Sequence, residues 1–126
     1  PPTTTRRQRQ MCIRDSALRH CAAWPRTLHP VYRERRDRVL SVLRSDGWSI
    51  PTPEMALYLW LPLPERLRQQ GLNDETLATR ILQSSGVALT PGSGFGPAGR
   101  DWLRMALVRP VDELEQAAHR LLDALR

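Results

Sequence analysis

The spacing of apolar residues predicts three amphipathic helices in this 126-residue chain. Apolar positions recur at three- and four-residue intervals over residues 31–45, over 73–84, and from Pro110 onward. Asn73 or Asp74 is expected to cap the second helix, since short polar side chains accept from its first free N–H groups. The side chains expected to face a core are Val31, Val39, Leu40 and Leu43 in the first helix, Leu77, Ile81 and Leu82 in the second, and Leu114, Ala117, Ala118, Leu121, Leu122 and Leu125 in the third.

Three further apolar stretches, at residues 56–61, 87–89 and 102–108, predict short β-strands. Residues 56–61 are apolar at alternate and intervening positions alike, which indicates a strand covered on both faces, so Tyr58 and Trp60 are expected in the core. The elements follow the order helix, strand, helix, strand, strand, helix. This order predicts an α+β fold in which helices pack on a small three-stranded sheet.

Proline and glycine mark where these elements should begin and end. Residues 17–23 suit the end of a helix that Pro25 interrupts, and residues 24–30 are predicted to be a proline-punctuated connection. Gly47 and Gly86 stand where the first and second helices should end, because glycine readily takes the left-handed conformation that closes a helix.

A glycine-rich stretch, GVALTPGSGFGPAG at residues 86–99, precedes the last predicted strand. Glycine lets the backbone turn sharply or approach a ligand closely. In the strand, alternation places Arg104 on the face opposite Leu103 and Met105. A guanidinium among apolar neighbours is costly unless a carboxylate meets its donors, so the stretch and Arg104 together predict a small carboxylate-binding site. The alternative is a structural ion pair between Arg104 and Asp101 or a helix carboxylate.

Composition is that of one globular domain, with 40% hydrophobic and 25% charged residues. No apolar run approaches the roughly 18–20 residues that span a bilayer, and the first residues lack the apolar segment of a signal peptide, so we expect a cytoplasmic protein without a membrane partner. We expect no metal site and no disulfide framework, because the spacing of the candidate ligands fits neither; these are Cys12, Cys21, His20, His29 and His119.

The basic charge is concentrated before the first predicted helix. All 19 basic residues are arginines, and the formal net charge is +6. Residues 6–16 hold four of the arginines and one aspartate, and without them the net charge is +3. Arginine-only usage can equally reflect a GC-rich coding sequence. We therefore do not expect a nucleic-acid partner, although basic patches bind phosphate.

The segment RRQRQMCIRDS at residues 6–16 resembles the translation of a transposase-type sequencing-library adapter. We therefore expect residues 1–16 to be a disordered, non-native tail, and such segments are excluded from fold reasoning. On this interpretation the natural protein begins near Ala17 and lacks its upstream part. A disordered basic arm is the alternative.

The stretch around Arg104 resembles the C-terminal small domain of the fold type I, pyridoxal-phosphate-dependent aminotransferases of class I and II. The resemblance covers nearly all of residues 17–126, and it implies that 17–30 are the end of a large domain with its connection and 31–126 the small domain. The aspartate-type and LL-diaminopimelate-type enzymes are the most similar subfamilies. The segments that carry the resemblance are YRERRD at 32–37, ALYLW at 56–60, GVALTPGSGFG at 86–96 and LRMAL at 103–107.

The resemblance implies roles for four residues. Arg104 would bind the α-carboxylate of the substrate, with Ser93, Gly94 and Phe95 near it at the mouth of the pocket. The parent enzyme would transfer an amino group between an amino acid and a 2-oxo acid, use pyridoxal 5′-phosphate and work as a homodimer. That cofactor is attached through a lysine, and this chain has none. We therefore expect a fragment with no catalytic residue of its own, inactive alone and unable to bind the cofactor covalently.

Two other functions stay open at this point. Lyases and synthases that act on amino acids share the same fold, so the parent could belong to them. A free-standing α+β interaction module with a basic arm is the alternative outside the enzymes. Upstream sequence discriminates them, since a lysine-bearing cofactor segment would support an enzyme and a natural start near residue 17 would favour the module.

Overall fold

The computed structural model describes the backbone of residues 2–54 and 57–126 and the side chains of 9–54 and 57–126. The chain divides into one unit up to Val31 and a second unit, Tyr32–Arg126. The first unit contains helix α1, Pro2–His20. The expected disorder of residues 1–16 is therefore wrong from Pro2 onward, because arginine, glutamine and methionine favour helix even where no apolar face forms. The expectation for Pro1 lies outside the described residues.

Helix α2, Trp24–Ser45, begins earlier than the sequence predicts. The predicted connection at residues 24–30 is helical, because Pro25 occupies the first turn, where a missing N–H costs nothing. Pro30 lies inside the helix and cannot donate to the preceding turn. The predicted end is confirmed: α2 stops at Ser45, and Gly47 follows with a φ of 81° and its N–H 3.0 Å from the Arg44 carbonyl oxygen.

Three antiparallel strands form the predicted sheet, in the order β1, β3, β2. Strand β1 is Tyr58–Pro62, β2 is Thr90–Pro91 and β3 is Trp102–Ala106. The predicted strand at residues 87–89 is wrong, since pairing begins at Thr90. The start predicted for β1 at residue 56 lies outside the described residues. The α+β class and the three-stranded sheet are confirmed.

Three helices of the second unit lie between and after the strands. The short helix α3, Glu65–Gln69, was not predicted. Helix α4, Asp74–Ser85, has the predicted cap: the Asn73 side chain accepts from the Thr76 N–H, and Gly86 closes the helix with a φ of 70°. Helix α5, Val111–Leu125, follows Pro110 as predicted.

The core of the second unit is apolar and joins α2, α4 and α5 to one face of the sheet. Two predictions of inward side chains are wrong: Leu82 is 50% exposed and Val31 is 39% exposed, because each lies at the edge of its helix's apolar stripe. In the described parts of the chain, no helix combines the length and apolarity needed to cross a membrane. Core residues include Val39, Leu40, Leu43, Leu59, Leu61, Leu77, Ile81, Leu103, Met105, Leu114, Ala118, Leu121 and Leu125.

Candidate functional site

Strand β3 places Arg104 in the middle of the sheet. Arg104 pairs with Trp60 of β1 on one side and Thr90 of β2 on the other. Its neighbours Leu103 and Met105 are buried on the core face, so Arg104 projects to the opposite face and is half-buried there. The predicted alternation along this strand is confirmed.

Aromatic rings surround the Arg104 guanidinium. Its central carbon, Cζ, lies 4.3 Å from the ring centroid of Tyr58 and 4.3 Å from that of Phe95. Trp60 contacts Phe95 edge to face, with centroids 5.6 Å apart and planes at 81°. We call Tyr58, Trp60 and Phe95 the aromatic cluster. Cation–π contact with two rings restricts the guanidinium without occupying its N–H donors.

The core assignment of Tyr58 and Trp60 was wrong. Trp60 is 36% exposed and Tyr58 is half-buried, whereas Leu59 and Leu61 are fully buried. The strand is therefore covered on one face only within the described chain. Two-residue periodicity separates the two pairs, because Tyr58 and Trp60 share one face of the strand and Leu59 and Leu61 share the other.

The alternative of a structural ion pair for Arg104 is not what the structure shows. Within the side chains described, no carboxylate lies at ion-pair distance from Arg104, and the Asp101 carboxylate instead lies 4.0 Å from Arg68. Nor does Arg104 donate a side-chain hydrogen bond to any of those residues. Its planar fork is therefore able to bind a carboxylate from outside the chain in bidentate fashion.

The segment that carries Phe95, residues 92–101, is called here the glycine loop. Two short 3-10 helices, Gly92–Phe95 and Pro97–Gly99, form most of it. Gly92 and Gly99 approach so closely that a Cβ on Gly92 would lie 2.1 Å from the Gly99 carbonyl oxygen. Glycine is required there by the backbone contact that closes the loop.

The other loop residues predicted to lie near a substrate have different surroundings. The backbone N–H of Ser93 donates to Asp74 Oδ2 at 2.8 Å, and the Ser93 hydroxyl donates to Glu75 Oε1 at 3.2 Å. Gly94 is exposed, and a Cβ built on it would meet nothing within 4 Å. The structure thus brings Phe95 to Arg104, ties Ser93 to α4 and leaves Gly94 open to solvent.

Asp74, at the first turn of α4, is a buried carboxylate that the sequence did not single out. It is 3% exposed and lies directly after the cap residue Asn73. Burial raises the pKa of the Asp74 carboxyl, but the hydrogen bonds it accepts from Ser93 and from the backbone N–H groups of Asp74 and Asp101 lower it further, so the net shift is downward. The sequence offered only the expectation of a helix cap here.

The described residues do not supply a covalent anchor for pyridoxal phosphate. The chain has no lysine, so it holds no ε-amine with which that cofactor could bond. The arrangement suits an anion: one guanidinium lies beside the aromatic cluster, on a sheet face that the described residues leave partly exposed.

Comparison with known proteins decides the family. The sequence pattern described as aminotransferase class I and II matches residues 26–121. The chain belongs to this family. The aminotransferases of class I and II are dependent on pyridoxal phosphate, and they act on amino acids and 2-oxo acids.

Individual relatives agree with the family assignment. An LL-diaminopimelate aminotransferase from Oleidesulfovibrio alaskensis is 38% identical over 105 residues, covering 83% of this chain and 26% of that protein. A probable N-succinyldiaminopimelate aminotransferase structure from Thermus thermophilus is 43% identical with a TM-score of 0.65, covering 75% of this chain and 24% of that one. A PLP-bound aminotransferase structure from Clostridium difficile shares the fold, with 24% identity, a TM-score of 0.74 and coverage of 88% and 28%.

The chain spans about a quarter of the length of the relatives it matches. A chain of this relative length is what we expect for a fragment of an aminotransferase. The described site is accordingly one part of the architecture that those complete relatives contain.

Proposed function

We propose that the full-length protein is a pyridoxal-phosphate-dependent aminotransferase in which Arg104 holds the substrate α-carboxylate. The observation that carries the proposal is the state of Arg104: half-buried, 4.3 Å from two aromatic centroids, and without a carboxylate partner among the described side chains. An arginine kept in this state is prepared for an anionic ligand.

The aromatic cluster strengthens the contact with a carboxylate. Rings of Tyr58 and Phe95 cover part of the guanidinium, and a charge-assisted hydrogen bond gains strength where contact with water is reduced. Two parallel N–H···O bonds would fix the plane of the carboxylate and so the direction in which the rest of the substrate points. Pyridoxal phosphate, bound by residues outside this chain, would supply the electron-accepting ring for amino transfer.

The relatives favour a substrate class. Two of them act, by their names, on LL-diaminopimelate and N-succinyldiaminopimelate, and we infer that an amino acid of this diaminopimelate type is the amino donor or product here. Aspartate-type substrates are the second candidate. A homodimer is proposed with the enzyme, since the resemblance implies it, and a cytoplasmic location stays a prediction from the sequence.

The test is kinetic and uses the full-length enzyme encoded by the extended reading frame. Arg104→Ala should raise KM for both the amino acid and the 2-oxo acid, because both carry the carboxylate that Arg104 would bind. Loss of a bidentate charged contact is expected to cost about 2–4 kcal/mol in kcat/KM. Measuring initial rates of amino transfer over a range of each substrate gives both constants.

Arg80→Ala is the matched control, because Arg80 is an exposed arginine of α4 whose side chain makes no hydrogen bond or ion pair within the described residues. It should leave both constants unchanged. Equal kinetics for Arg104→Ala and the native enzyme would remove Arg104 from the site. A product that forms from the amino acid with no 2-oxo acceptor present would favour the lyase or synthase alternative.

A further inference from the structure

Asp74 is the single buried polar or charged residue among the side chains that the structure describes. An ionised carboxylate in such a place is costly unless hydrogen bonds compensate for lost water. No arginine lies at ion-pair distance from Asp74 in the described chain, so its compensation comes from hydrogen-bond donors such as the Ser93 backbone N–H. The position of these donors in the fold indicates which segment the Asp74 carboxylate holds in place.

The helix to which Asp74 belongs does not need its carboxylate as a cap. Asn73 caps α4 by accepting from the Thr76 N–H at 2.8 Å, and the Thr76 hydroxyl oxygen accepts from the Asn73 N–H at 3.0 Å. This reciprocal pair satisfies the end of the helix. The Asp74 side chain is therefore free to bond outside its own helix.

The Asp74 carboxylate bonds to the start of the glycine loop. Its Oδ2 accepts from the Ser93 N–H at 2.8 Å, near the start of the loop. At the other end of the loop, Asp101 has a φ of 63°, a left-handed conformation that is uncommon for a non-glycine residue.

Phe95 lies two positions after Ser93 and contacts the guanidinium of Arg104. The Phe95 side chain is 52% exposed, so core packing does not hold it in place. Its position depends on the path of the loop backbone instead. Any change that releases an end of the loop should move Phe95 relative to Arg104.

We propose that Asp74 is a positioning residue for the carboxylate site: it ties the start of the glycine loop to α4 and thereby keeps Phe95 against the Arg104 guanidinium. This inference rests on the proposed function of Arg104. It assigns to a buried residue of another element the task of orienting the group that touches the substrate.

The test is Asp74→Asn in the full-length enzyme. Asparagine preserves size but removes the charge and replaces one acceptor oxygen with a donor, so the charge-assisted bond from the Ser93 N–H is weakened. KM for the amino acid and for the 2-oxo acid should each rise about tenfold, which corresponds to about 1.4 kcal/mol, while kcat stays within about twofold. In the Arg104→Ala background the same substitution should produce no further rise, because the group it orients is gone.

Asn73→Ala is the matched control for a merely structural effect. It weakens the same end of α4 by removing the cap, but Asn73 makes no hydrogen bond to the glycine loop. KM should be unchanged in this variant. A KM increase equal to that of Asp74→Asn would overturn the proposal.

The remaining outcomes separate the two proposals. If Arg104→Ala raises KM and Asp74→Asn does not, the positioning role is wrong and the carboxylate role stands. If Arg104→Ala has no effect, both are wrong. Should Asp74→Asn fail to fold, Asp74→Ala replaces it, since it removes the buried charge together with the acceptor of the Ser93 N–H. A rise of about tenfold in KM supports the role, and an unchanged KM overturns it.

Discussion

The two faces of the three-stranded sheet are made by alternate residues of the same strands but have opposite chemistry. The core face presents Leu59, Leu61, Leu103 and Met105, all buried beneath helices. The other face presents the aromatic cluster and Arg104, which remain partly exposed. Strands β1 and β3 therefore contribute to the core through one set of side chains, and their alternate side chains form the face that we propose binds a carboxylate.

The difference between the two faces shows that a short strand can place adjacent residues in unlike surroundings. Alternation puts neighbours in sequence on opposite faces, so Leu103 and Arg104 lie one residue apart yet have no common surroundings. A substitution at Leu103 should change folding and one at Arg104 should change binding. Three predictions, in order of decreasing effect, test whether the faces are separate to this degree.

The largest expected effect is on stability, at Leu103. Leu103→Ala should lower the free energy of unfolding by about 2–5 kcal/mol, because it leaves a cavity at a fully buried position. Arg104→Ala is the matched variant on the opposite face and should lower it by no more than about 1 kcal/mol, the scale of the lost cation–π contacts. Urea unfolding of the purified proteins gives both values. Equal losses would contradict the separation of the two faces.

Much of the core face could be predicted from the sequence. Helical periodicity in α4 and α5 and the cap at Asn73 were identified because local chemistry determines them. Errors arose where local signals were weak. The prolines at 25 and 30 suggested a connection, but one falls in the first helical turn and the flanking residues sustain the helix past the other.

The site could be predicted only in part. Arg104 was identified because a charge in an apolar strand is conspicuous, and the resemblance supplied its role. Tyr58 was assigned to the core because residues 56–61 are apolar on both faces of the strand, which predicts a strand covered on both sides. Asp74 was named only as a candidate helix cap: its bond to the glycine loop joins residues 19 positions apart, and nothing in the spacing of such residues indicates that they meet.

The second prediction concerns pH and the junction between α4 and the glycine loop. The pKa of Asp74 is lowered in the folded state, so its contribution to stability is present above its ordinary pKa and is lost as the pH falls through the lowered one. Unfolding measured between about pH 5 and pH 2 should show native stability falling toward that of Asp74→Asn. A gap between the two proteins that stays constant over this range would contradict the prediction.

The smallest expected effect is at Tyr58, and it tests whether the binding face acts through its rings. Tyr58→Leu keeps an apolar side chain but removes the ring 4.3 Å from the Arg104 guanidinium, whereas Tyr58→Phe retains the ring. In the full-length enzyme Tyr58→Leu should raise KM for carboxylate substrates by about two- to fivefold, the equivalent of a cation–π contact of about 0.5–1 kcal/mol. Tyr58→Phe should leave KM unchanged. An equal rise in both variants would assign the effect to the hydroxyl, and then the cluster would bind through a polar contact rather than by holding the guanidinium.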